Sequence, residues 1–193
     1  MTTLFSPALR LLILLTLLTG AAYPALGTWL AQSLFPAQAN GSLVYAQKRT
    51  VGSALIGQSF TRADYFWSRP SAIAYDATNS GGSNFGPLNP QLLQALMARR
   101  QALAPANPPR LIPVELLTSS ASGLDPHLSP GALRFQVDRV AHARHLPAAQ
   151  LQQLITRLTT PTWPLPFERQ VVNVLQLNLA LDQLATQPAQ GVQ

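Results

Sequence analysis

Residues 9–34 read LRLLILLTLLTGAAYPALGTWLAQSL, and no charged side chain occurs between Arg10 and Lys48. A run of about 20 apolar residues is enough to carry a helix across the hydrocarbon core of a bilayer. Thr16, Thr19 and Thr28 interrupt it only weakly, because their hydroxyls can bond back to the helix backbone. Trp29, near the end of the run, suits a membrane–water interface. The rest of the chain mixes polar and apolar residues in the ordinary way. The pattern predicts an anchor helix within residues 1–35 and one soluble domain over residues 36–193, of mixed α+β class and rich in helices.

Two other readings compete for the apolar run. A cleaved signal peptide would use the Arg10 flank and the small residues Ala25-Leu26-Gly27 after Pro24. Apolar character, however, continues through Trp29 and Leu30 to Leu34, and signal-peptide cores are shorter. A buried helix of a soluble core is a poor match to so long and uniform a run. The retained anchor is the expectation. Charge does not orient it: Arg10 lies on one side, and Lys48 and Arg49 on the other. The absence of cysteine permits an oxidising compartment without requiring one.

A net charge of +6 raises nucleic acid as a partner. The arginines are scattered from Arg49 to Arg169, with no dense run and no aromatic–basic motif of an RNA-binding sheet. A basic surface facing lipid headgroups or an acidic partner is the better reading.

Prolines and glycines divide the domain. PAQANGS (36–42) is a turn. Leu43 to Phe66 holds short apolar pieces, read as strands or extended segments. Ser68 to Pro90 is one long loop, and a loop of that length in a compact domain has a binding task or packs as an ordered excursion. A helix follows from Gln91 to about Leu103, capped by Asn89 with Pro90 in its first turn, and Leu92, Leu93, Leu96 and Met97 share a face. LIPVELLT (111–118) reads as a strand, and SSASGLDPHLS (119–129) as a second loop. Ser129 and Pro130 open another helix, with Leu133, Val137, Val140 and Ala141 on its apolar face. Pro147 starts a further helix striped by Leu151, Leu154, Ile155 and Leu158. Val171 to Val174 reads as a short strand leading into a helix capped near Asn173.

The chain lacks a G-x-x-x-x-G-K-[ST] phosphate loop, a G-x-G-x-x-G fingerprint and a G-x-S-x-G nucleophile elbow. His142 and His145, with Asp138, imitate metal-ligand spacing but read as a solvated helix face. Asp125 and His127 read as a capped turn. No metal site and no catalytic residue is assigned. Two loops stand out. Gly81 and Gly82, with Ser83 and Asn84, could converge backbone N–H groups on an anion, or simply turn the chain. Ser119, Ser120, Ser122 and Gly123 precede a helix that carries Gln136. That arrangement is compatible with phosphate binding and equally with an ordinary strand-to-helix loop.

Several words occur together in this order: QANGS (38–42), GSALIGQSF (52–60), YFWSRPSA (65–72), SGGSN (80–84), NPQL (89–92), VELLTSSASGLDPHLSP (114–130), VAHARHL (140–146) and VNVLQLNLALD (172–182). With the N-terminal anchor, they resemble the C subunits (KdpC) of the Kdp potassium-transporting P-type ATPase, over essentially the whole chain.

The resemblance implies a single-pass subunit of the bacterial inner membrane, with its N terminus cytoplasmic and its domain periplasmic. It also implies three partner subunits: a potassium-channel-like translocating subunit, a P-type ATPase subunit and a small helical subunit. This chain contains no D-K-T-G phosphorylation sequence and no T-V-G-Y-G filter. It is therefore expected to be a non-catalytic member with no cofactor of its own, meeting ATP and potassium through the complex. Family descriptions as a catalytic chaperone would make the Ser119–Gly123 loop and Gln136 nucleotide contacts. A periplasmic domain would instead act by coupling or stabilisation. Thr16, Thr19, Gly20 and Gly27 offer the anchor a face for close helix packing. Outside this family, the chain would be a membrane-anchored periplasmic binding or assembly module.

Overall fold

The apolar run is helical in the computed structural model, which describes residues 2–106, 110–162 and 170–186. Helix α1 (Thr2–Leu17) passes through a wide π turn (Leu18–Ala22) into α2 (Tyr23–Leu34). Pro24 explains the widening. It has no N–H for the Gly20 carbonyl, and its ring crowds that carbonyl. The Tyr23 N–H reaches Leu18 O instead, five residues back. Residues Phe5–Leu34 form 30 helical residues long and apolar enough to cross a membrane, about 45 Å at the usual helical rise. Thr19 and Ser33 donate their hydroxyls to Leu15 O and Trp29 O, so neither leaves a bare polar group. The helical turn α3 (Pro36–Ala39) follows, and Asn40 ties it back by donating to Pro36 O and Gln32 Oε1.

The chain divides into two compact units, one up to Val44 and the other from Tyr45 onward. Strands β1 (Leu43–Ala46) and β2 (Arg49–Ser53) pair across Gln47 and Lys48. Both turn residues have positive φ, as a tight two-residue hairpin turn requires. Residues 54–89 contain no regular element. Helix α4 (Pro90–Leu103) is capped by Asn89, whose side chain accepts from the Gln91 N–H, as the sequence predicts.

The expected strand at 111–118 is instead a helical turn, α5 (Val114–Leu117). Pro113 is held at φ −56° at its start, and Thr118 closes it with backbone and hydroxyl bonds to Val114 O. Of the four turn residues only Leu116 is buried, so no pleated face exists for a strand to fill. The expected apolar face of α4 is also revised. Leu92 and Leu96 are half-buried, whereas Leu93 and Met97 face outward.

The core lies among α6 (Pro130–Arg144), α7 (Ala148–Leu158), α8 (Val174–Thr186) and a small antiparallel sheet. The strand order is β3 (His127–Leu128), β5 (Gln170–Asn173), β4 (Thr160–Pro161). His127 pairs with Asn173, Leu128 with Val172, and Thr160 with Val171. Leu133, Val137 and Val140 of α6 meet Leu151, Leu154 and Ile155 of α7 and Leu177 and Leu181 of α8, with Phe66 buried among them. Ser129 caps α6 by accepting from the Ala132 N–H. His145 ends it at φ 53° in the left-handed conformation that closes helices. Asn173 caps α8 through the Gln176 N–H.

Candidate functional site

The two loops singled out in the sequence meet. Gly81 N–H and the Ser80 hydroxyl both donate to Ser122 O, at 2.9 and 3.0 Å. Ser120 N–H donates to Pro70 O at 3.2 Å, and Gly57 N–H to Leu124 O at 2.7 Å. Three glycines allow this approach. A Cβ on Gly82 would lie 2.9 Å from Ala121 O, and one on Gly57 would lie 2.6 Å from Asp125 O. Gly123 has φ +69°, and its Cβ would collide with Ile73 and with Gly81 O. Ala74, Tyr75 and Asn84 also adopt positive φ, so backbone strain gathers in the Ile73–Asn84 excursion.

Arg69 is the bolt of this junction. Its Nη1 donates to Asp125 Oδ2 at 3.2 Å, and its Nη2 donates to Ser119 O at 3.4 Å. Arg69 and Asp125 stand between two shallow clefts. One is lined by Leu55, Ile56, Ser120, Ser122 and Pro126, the other by Glu115, His127, Ser129 and Gln170. Asp125 Oδ1 also accepts the His127 N–H, and His127 Nδ1 lies 3.7 Å from it. Arg99 of α4 braces the far end, donating to Leu117 O at 2.6 Å and to Ser119 Oγ at 3.1 Å. Partial burial lowers the Arg99 guanidinium below its ordinary range.

The candidate residues are thereby placed. Ser119 Oγ accepts from Arg99, Ser122 Oγ accepts from the Leu124 N–H, and Ser120 is buried. Gly81 and Gly82 lie along the junction, Ser83 is half-buried beside them, and Asn84 is exposed at φ 52°. Gln136 is fully buried, and both ends of its amide are in use. Oε1 accepts from Trp67 N–H and Arg139 Nη2, both at 2.8 Å, while Nε2 donates to Trp67 O at 3.2 Å. Gln136 therefore clips Trp67 as a strand partner would. Asn178 of α8 makes the same two-way clip on Phe66, at 2.9 Å in each direction.

Arg139 and Arg144 are the residues that sequence reasoning missed. Arg139 stacks on Trp67, 4.0 Å from the ring centre, and donates to the carbonyls of Ala63 and Tyr65. Burial pushes its guanidinium down to about 10. Arg144 lies 4.6 Å from the centre of the Tyr65 ring and donates to Asp182 Oδ1 at 2.7 Å. Tyr65 OH completes that triangle on Asp182 Oδ2. The alternation of aromatic residues in Tyr65-Phe66-Trp67 is the signal that could have found both arginines.

Asp138 pairs with Arg110 rather than with His142. Among the described residues, no group of three or more His, Asp or Glu side chains is placed to hold a metal ion. The arrangement is one of mutual satisfaction: two loops and an aromatic segment fixed by arginines, glycines and buried amides.

The family described as KdpC, K+-transporting ATPase, c chain, matches residues 5–183. A potassium-transporting ATPase KdpC subunit of Polaromonas naphthalenivorans (strain CJ2) is 50% identical, with 99% of this chain and 100% of that protein aligned. The subunit of the same description from Herpetosiphon aurantiacus is 51% identical over 95% of this chain and 98% of that protein. That of Serratia proteamaculans (strain 568) is 52% identical over 92% and 97%. With a matching anchor helix, loop pair and α+β core, this chain belongs to the KdpC family of potassium-transporting ATPase subunits.

Proposed function

We propose that the chain is a non-catalytic, single-pass subunit of an inner-membrane potassium import complex. Its N terminus is cytoplasmic and its domain, broadly residues 36–193, is periplasmic. It assembles with a channel-like translocating subunit, a P-type ATPase subunit and a small helical subunit, with membrane lipids around its anchor. In this reading the domain stabilises the complex beside the potassium entrance. It promotes ATP use by the pump subunit, as a catalytic chaperone does, through coupling across the membrane subunits rather than by touching nucleotide. ATP and potassium reach it only through the complex.

The observation that carries this reading is the closed loop junction. The groups that would have to turn toward a phosphate are engaged within the domain: Gly81 N–H, the Ser119 and Ser122 hydroxyls and the Gln136 amide. A platform with its polar groups satisfied is suited to holding neighbours in place. It is not suited to enclosing a charged ligand.

Ser122 provides the test, since it is exposed and the chain has no cysteine. Ser122→Cys in intact cells should react with a membrane-impermeant maleimide while the full-length mass is retained. Reaction only after lysis would place the domain in the cytoplasm and restore direct nucleotide contact as the mechanism.

A further inference from the structure

Helix α4 has a side that the domain leaves uncovered. Of its residues only Leu103 is buried. Its inner side is fixed by the two Arg99 bonds to Leu117 O and Ser119 Oγ, with Leu92 and Leu96 half-buried alongside. That anchoring turns another stripe outward: Leu93, Met97 and Arg100, at the i, i+4 and i+7 spacing of one helix face. Leu93 and Met97 are 55% and 53% exposed, and Leu88, just before the cap, is 95% exposed. Pro90 to Ala98 contains no charged residue. A helix of about this length is marginal in water without an apolar face buried against something.

Charge selects the occupant. Arg100 has no ion pair among the described residues. A second copy of this chain would bring another net +6 to the contact. Its described carboxylates are also engaged already. Asp64, Asp125, Asp138 and Asp182 pair with arginines, Glu115 accepts the Ser129 N–H, and Asp76 bonds Thr78. A lipid surface would favour a helix with several basic residues flanking the apolar face, and this stripe has one.

We propose that the Leu93–Met97–Arg100 stripe of α4, extended by Leu88, is a docking ridge for another protein subunit of the same complex. The partner would present an apolar groove with a carboxylate at the Arg100 end. The helix lies in that groove by its i, i+4, i+7 anchors. This rests on the reading of the chain as an assembly subunit and names the surface that performs it.

The test uses the full chain, produced with its complex in native membranes. A benzoylphenylalanine photocrosslinker at position 93 or 97 should give a light-dependent adduct with another subunit of the complex. With the crosslinker at 97, Leu93→Glu together with Arg100→Glu should lower the yield about tenfold or more, a factor that corresponds to about 1.4 kcal/mol of contact energy. An unchanged melting transition of the purified variant shows that the domain still folds. Adducts only with a second copy or with lipid overturn the proposal. So does the absence of any adduct at both positions while the chain still co-purifies with the ATPase subunit. If the unsubstituted chain fails to co-purify with that subunit at all, the assembly reading falls first and the ridge falls with it.

Discussion

Replacing Gln136 by leucine separates a structural role from a nucleotide-binding one. Leucine has nearly the same volume but can neither accept the Trp67 N–H nor donate to the Trp67 carbonyl. It also removes the acceptor for one Arg139 N–H. Each buried group left without a partner costs about 1–3 kcal/mol. Trp67 is half-buried, so part of that loss is recovered by water, and about 3 kcal/mol in total is the reasonable figure. For a chain of this size such a loss lowers the melting temperature by about 6–12 °C. The assay is thermal unfolding of the detergent-solubilised full chain, followed by Trp fluorescence with and without ATP. A loss below about 1 kcal/mol, within the range of ordinary surface substitutions, would refute the clip. The case against it would be complete if ATP stabilised the unsubstituted chain and not the variant. Gln136 would then be a ligand contact.

Three further outcomes are expected. Gly123→Ala should cost at least about 2 kcal/mol, from the left-handed backbone and the collision with Ile73 and Gly81 O. Gly131→Ala, whose Cβ would sit 3.7 Å from Ser129 Oγ, should be neutral or stabilising; parallel melts of the two variants check the contrast. The hydrogen bond from Arg62 holds the Asp64 carboxyl below its ordinary value of 3.8. A depressed carboxyl stabilises the fold at pH above that value and loses its contribution as pH falls through the folded value, so melting temperature should drop between about pH 5 and about pH 2. Arg62→Ala should reduce that acid-side slope in a pH series of melts. Arg139→Lys should lower stability by about 1–2 kcal/mol, because an ammonium cannot stack on Trp67 and serve two carbonyls together. Urea unfolding would measure the loss.

The readable parts of the sequence were those in which one local rule decides. Asn89-Pro90 and Ser129-Pro130 open helices because cap chemistry and the fixed proline φ act within four residues. The α6 and α7 stripes could be read because every expected apolar position is at least half-buried. The segment 111–118 could not, because Pro113 and the distant Ser129 N–H that binds Glu115 outweigh its strand-like composition. The Gly81–Asn84 and Ser119–Gly123 loops were each visible as unusual, but their contact was not. It depends on Arg69 and on glycine clearances between residues about 40 positions apart. The same holds for Arg139 and Arg144, which look like solvated helix residues until the Tyr65–Trp67 segment is laid over them.

The π turn at Leu18–Ala22 means that the anchor carries one residue in surplus. A regular helix advances about 100° per residue, so an extra residue absorbed without a full step of rotation lets the two ends keep a phase that the residue count alone would not give. Shortening the helix by one residue within Leu18–Ala22 would draw on that slack and leave the facing of Leu11–Leu15 relative to Trp29 nearly as it is. The same deletion at Leu12 or Leu30 has no slack to draw on and would swing one end of the anchor about its axis. The span therefore has a built-in tolerance for length at its middle and none near its ends.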